Sequence, residues 1–222
     1  MKKMRRWVIF IISGLSLLVS ACVSHAVPPP LLTFGGPQTA PSGGSLVGLG
    51  MGSGAELFPG AHAGGHAWFG RWRYGLSPSS EIGLDILAGP RGDKSFATFQ
   101  AAFRHRVGER AAIGFGLGAA DDSDGKSVGA VIGAEWRISR RTVPWSFYGA
   151  LHGAGAFCLT RTQNETPRPH ALYFIGALGA TAQPIPWLRF IFEGGLGPVF
   201  VRGQKNIGLG IYAGCGISLD IH

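Results

Sequence analysis

Residues 207–221 alternate without a break. Ile207, Leu209, Ile211, Ala213, Cys215, Ile217, Leu219 and Ile221 are interleaved with Gly208, Gly210, Tyr212, Gly214, Gly216, Ser218 and Asp220. A period of two held over fifteen residues excludes a helix with one apolar stripe and specifies a long strand with one apolar face. The same period recurs upstream. Ile82, Leu84 and Ile86 oppose Glu81, Gly83 and Asp85, and Phe99, Ala101 and Phe103 oppose Gln100, Arg104 and Arg106. Ile113, Phe115 and Leu117 oppose Gly114, Gly116 and Gly118; Val128, Ile132 and Trp136 oppose Gly129, Gly133, Glu135 and Arg137. Leu188, Phe190, Phe192 and Leu196 oppose Arg189 and Glu193. Segments 45–53, 64–76 and 144–159 alternate less cleanly, and in 170–182 both faces are similar, so that segment has no assigned orientation. Ten strands are predicted, with eight as the smaller alternative.

The two faces differ in kind. The aliphatic face carries almost no charge, whereas the other holds Gly, Arg, Asp, Glu and Tyr and almost no Lys. A soluble sandwich would present Lys and Glu to water there. Small residues mixed with pairable charges suit the inside of a narrow barrel, and the apolar-out, polar-in pattern in segments of ~10 residues is that of a transmembrane β-barrel. Composition agrees: the chain has 37 glycines among 222 residues, and 14% charged residues against ~25% in soluble domains. The fold predicted is all-β, an antiparallel up-and-down transmembrane barrel over residues 44–222.

The inward set is then Arg71, Arg73, Glu81, Asp85, Arg104, Arg106, Glu135, Arg137, Arg189 and Glu193. Adjacent strands bring Arg71 and Arg73 near Glu81 and Asp85, and Arg189 and Glu193 near Asp220. Two readings follow: a charged constriction that selects solutes, or a ladder of ion pairs that plugs the lumen, since charges withdrawn from water must be paired. The connections 77–80, 107–110, 139–142 and 183–186 read as tight turns. Those at 54–63, 89–94, 120–126, 159–170 and 202–206 read as longer loops, the alternation expected when the short turns face the periplasm. Trp72, Trp136, Trp145 and Trp187 lie near the tight-turn ends and are candidate interface aromatics; Trp68 is nearer mid-strand.

Lys2, Lys3, Arg5 and Arg6 precede an apolar run from Trp7 to Val19, the plan of a signal peptide. The run ends Val19-Ser20-Ala21-Cys22, which resembles the lipobox of bacterial lipoproteins. The resemblance implies cleavage before Cys22, a lipid on that cysteine and, because Val23 rather than Asp follows, outer-membrane retention. Cleavage after Ser24-His25-Ala26 is the alternative. The domains expected are a signal peptide 1–21, a lipidated N-terminus with a flexible Pro/Gly tether 22–43, and the barrel. Without the signal, 16 basic and 12 acidic side chains leave +4, so the basic pI is partly an export signal and no nucleic-acid partner is read from it.

With these features the chain resembles the broad class of small bacterial outer-membrane β-barrels. The resemblance implies an outer-membrane location with both barrel ends on the periplasmic side. It also implies outer-membrane lipid as a partner, together with the barrel-assembly and lipoprotein-processing machinery. Such barrels end in an aromatic residue; this chain ends Leu219-Asp220-Ile221-His222. Outer-membrane deacylases use a His-x-Ser motif, but none of His62, His66, His105, His152 or His170 has Ser two residues on. The function expected is structural, narrow-pore or surface-interacting, without catalysis and without a cofactor or metal. A lipid-modifying hydrolase using inward His152 is one alternative. The other is a periplasmic lipoprotein barrel with its greasy faces turned inward around a ligand. Asp121–Gly125 lacks the spacing of a calcium loop, and Arg91-Gly92-Asp93 and Asn164-Glu165-Thr166 carry no further weight. Cys158 and Cys215 fall on opposite faces, read as buried small apolar groups that do not meet.

Overall fold

The computed structural model describes residues 38–58, 61–91, 94–122, 125–139, 145–159, 170–203 and 205–221. The segment read as a signal peptide, Cys22, the expected tether up to residue 37, the sequon and parts of several connections lie outside them. Ten strands follow one another along the chain: β1 (Ser45–Phe58), β2 (Ala61–Ser77), β3 (Ser80–Arg91), β4 (Lys94–Val107), β5 (Ala111–Asp122), β6 (Gly125–Arg137), β7 (Trp145–Cys158), β8 (Ala171–Ile185), β9 (Leu188–Val201) and β10 (Gly208–Ile221). Each pairs antiparallel with its neighbours in sequence, and β1 closes the barrel on β10. Ser45 stands opposite Ile221, so both barrel termini lie at one end, called here the inner mouth. Closure leaves no edge strand.

The aliphatic faces point out. Leu49, Trp68, Leu117, Ile132, Leu178 and Leu196 are exposed, Ile132 by 68%. This removes the ligand-binding alternative with greasy faces inward. Among the described residues, the outward positions carry charge only at Asp121 and Lys126, a 3.8 Å pair at the far end of β5 and β6.

Three expectations are corrected. First, the supposed loops 54–63, 89–94 and 120–126 are mostly strand: two residues separate β1 from β2, β3 from β4, and β5 from β6. Backbone pairing runs on past the point where side chains stop alternating. The regular short–long alternation of connections therefore disappears, with the 12-residue span between β7 and β8 the longest. Second, the turn read at 183–186 begins later, since β8 runs to Ile185. A register shift between Ala182 and Ile185 accommodates Pro184, which has no N–H for the ladder. Third, the last residues of the tether are docked. At Gly43 the backbone turns with φ 72°, and residues 38–42 cross the inner mouth. Ala40 is only 1% exposed.

Gly75 is the point of closest approach. A Cβ there would overlap the carbonyls of Pro41 and Ala40. Its own N–H donates to Gly44 O (3.1 Å) and its carbonyl accepts from Gly43 N (2.8 Å).

Candidate functional site in the lumen

The lumen is built in layers. Nearest the inner mouth, β2, β3, β4 and β6 contribute an arginine–carboxylate cluster. Arg71 lies opposite Asp85 in the β2–β3 ladder and grips it with two bonds, Nε to Oδ1 at 2.9 Å and Nη2 to Oδ2 at 3.3 Å. Arg73 donates to the same Oδ2 at 2.6 Å and lies 3.6 Å from Glu81 Oε1. Arg104 donates to Glu81 Oε1 (3.2 Å) and to Glu135 Oε2 (2.9 Å). Glu81 Oε2 accepts the backbone N–H of Ala40 at 2.5 Å. On the other wall Arg189 donates to Asp220 at 2.6 Å. Glu81 and Asp85 are each 1% exposed. Charges so far from water require such partners, and removing one partner costs far more than the intact pair contributes. The Arg71 guanidinium also lies 5.1 Å from the centroid of the buried Phe69 ring.

Glu193 belongs to a second arrangement. Its carboxylate accepts the phenols of Tyr148 (2.6 Å) and Tyr212 (2.8 Å). Each ring lies over a glycine: a Cβ on Gly179 would overlap Tyr148, and one on Gly195 would overlap the Tyr212 ring. The inward glycines therefore make room for long side chains from other strands. Nearby, Arg71, Arg73, Gln100, Arg104, Glu135 and His152 line a cavity of about 60 Å³. The imidazole of His152 lies over Gly133 and the amide of Gln100 over Gly116. No serine, threonine or cysteine lines this cavity, so His152 has no hydroxyl or thiol nucleophile there among the described residues.

Towards the far end the interior turns apolar. Val131, Ala154, Ala156, Ala171, Tyr173, Ile175, Val199 and Val201 pack together, with Tyr212 against them. This layer explains why β8 had no orientation in sequence. Its inward Ala171, Tyr173, Ile175 and Ala177 are as apolar as its outward Leu172, Phe174 and Leu178.

The remaining predicted residues are placed as follows. Arg106 and Arg137 face inward at the rim, half-buried at the mouth. Trp72, Trp136, Trp145 and Trp187 are all exposed on the outer surface. Trp72 stacks on Tyr74 with centroids 6.3 Å apart, and the Trp136 indole covers Gly149. Cys158 and Cys215 are unbridged, but neither is buried as expected: Cys158 is half-buried, and Cys215 is exposed because its face of β10 is the outer one. Sequence reasoning missed the strap 38–42, tied through Ala40, and the two tyrosines on Glu193. Inward parity was readable for Tyr148 and Tyr212, but which carboxylate they reach depends on strand register and on the room left by Gly179 and Gly195.

No protein-family model matches this sequence, and no curated protein matches it. Solved structures with a similar arrangement include the outer membrane protease OmpT from Escherichia coli, at 10% identity and TM-score 0.47, covering 86% of this chain and 99% of that one. An outer membrane channel from Pseudomonas putida F1 matches at 10% identity and TM-score 0.48, covering 84% and 98%. The attachment invasion locus protein Ail of Yersinia pestis, in complex with the heparin analogue sucrose octasulfate, matches at 15% identity and TM-score 0.40, covering 82% and 100%.

Proposed function

We propose that this chain is an outer-membrane β-barrel lipoprotein with a closed lumen and a structural or surface-interacting role. The observation that carries the reading is the outer wall. Among the described residues its outward positions are mostly aliphatic, aromatic or small around the circumference, with charge at Asp121 and Lys126 at one end. In water such a surface is a severe aggregation liability; in a bilayer it is the required one. The tryptophans at the inner-mouth end fit an interfacial girdle. The inner mouth is assigned to the periplasmic side, where a lipid on Cys22 would also sit, and outer-membrane lipid and the assembly and lipoprotein-processing machinery are the partners. The filled interior favours an ion-pair plug over a solute-selective constriction, since paired arginines and an apolar layer occupy the lumen in series.

The test is detergent dependence. Folded protein is expected to require detergent for extraction and to migrate differently before and after heating. A chain lacking residues 1–37 that is folded, monodisperse and water-soluble without detergent would sink the proposal.

A further inference from the structure

The strap across the inner mouth is held differently from the rest of the barrel. Gln38–Ser42 belong to no strand, apart from one parallel bridge between Ser42 and Gly75. Only Ala40 among them is buried; Ser42 is exposed and Gln38, Thr39 and Pro41 are half-buried. Their ties are few: Ala40 N–H to Glu81 Oε2, Thr39 Oγ1 to Pro78 O at 3.3 Å, and the turn bond from Gly44 N to Pro41 O at 2.9 Å. Yet what they cover is the most densely charged part of the molecule. Gln38 joins Arg71, Arg73, Glu81, Arg104 and Arg189 around one small cavity. Glu81 divides its carboxylate, giving Oε1 to the arginines and Oε2 to the strap.

We infer that Gln38–Ser42 form a latch that opens about the Gly43–Gly44 hinge while the barrel stays intact, and so controls access from the inner mouth to the Glu81 cluster. The hinge residues have the conformational freedom such a motion needs, and Gly43 is already in the left-handed region. A segment with one buried side chain and few hydrogen bonds opens locally at far lower cost than a closed ladder of ten strands. The charged hydrogen bond to Glu81 sets the closed state as the resting one. Opening does not create a through-pore, because the apolar layer around Tyr173, Ile175 and Val199 lies above the cluster. The inference rests on the mouth geometry and is independent of the membrane reading.

Amide hydrogen exchange on the full chain in detergent micelles tests it. The Ala40 amide is expected to exchange at least tenfold more slowly than a free chain, and by an opening that is insensitive to denaturant. The amides of Phe190 and Phe192 should open only with global unfolding. In Gly75→Ala the new Cβ meets the Pro41 and Ala40 carbonyls, so Ala40 exchange should rise roughly tenfold or more with the strand amides unchanged. Should that variant not fold, the wild-type profile decides alone. Exchange of Ala40 at the free-chain rate, or only together with the strand amides, would overturn the latch.

Discussion

Arg104 on β4 and Glu135 on β6 are joined by a 2.9 Å hydrogen bond that passes over β5. The β5 residue opposite Arg104 is Gly114, and the one opposite Glu135 is Ala112, so nothing on β5 stands in the way. With its other nitrogen on Glu81, Arg104 ties β3 to β6 through the lumen. Replacing it leaves two buried carboxylates without that cation. Arg104→Leu is expected to lower stability by about 3–5 kcal/mol, read as a shift in the urea midpoint of unfolding from micelles or vesicles. A shift below ~1 kcal/mol would mean that Glu81 and Glu135 are adequately served by their other neighbours.

Asp85 gives a related test with a rescue. Asp85→Ala removes the carboxylate that Arg71 and Arg73 share and should cost a similar ~3–5 kcal/mol. Adding Arg71→Met, which removes one of the two cations that Asp85 serves, is expected to recover part of the loss. A double variant as unstable as the sum of the two single ones would show that the pair does not act as a unit.

Tyr148→Phe and Tyr212→Phe each remove one of the two phenols on Glu193. Each is expected to destabilise by about 1–3 kcal/mol. The pair should be non-additive, since both changes act on one carboxylate. Equilibrium unfolding of the single and double variants checks this, and simple additivity would argue against a shared acceptor.

The outer wall has its own test. Ile132→Arg places a cation at the middle of β6 on the outward face. In a bilayer the cost is about 2–4 kcal/mol, measured by refolding into vesicles. The same substitution on a barrel bathed in water would be close to neutral.

The closed lumen is expected to be electrically silent. Planar bilayers containing the folded protein should show no discrete conductance steps. Reproducible single-channel events in wild-type protein would contradict a lumen filled in series by the arginine cluster and the apolar layer.

Most of the barrel was legible because period-two alternation is imposed by the pleat itself, and residues such as Ile207 to Ile221 have no other regular arrangement to adopt. Strand ends were less legible. Residues such as Glu56 and Leu57 pair with Gly210 and Leu209 through the backbone, and that pairing leaves no mark on side-chain pattern. The Arg71–Asp85 and Arg189–Asp220 partnerships followed from adjacent strands. The Tyr212–Glu193 contact did not, because a glycine at position 195 has to be recognised as room for a ring that arrives from the next strand. Docking of Ala40 was invisible for a further reason: its specificity lies in a backbone N–H, which every residue but proline possesses.

The cluster also bears on how such a wall could be assembled. Arg71, Arg73, Asp85 and Glu81 all belong to the β2–β3 hairpin, Arg104 and Glu135 lie within the next three strands, and Arg189 and Asp220 share the β9–β10 hairpin. These ion pairs are thus made within one hairpin or between close neighbours in sequence. If the wall is laid down in a bilayer, as proposed, these pairs can form before the two ends of the sheet meet. The phenol bridge from Tyr148 on β7 to Glu193 on β9 spans a longer stretch and involves a neutral donor. The interior that closes the finished barrel is therefore also arranged so that these arginines can meet their carboxylates before closure.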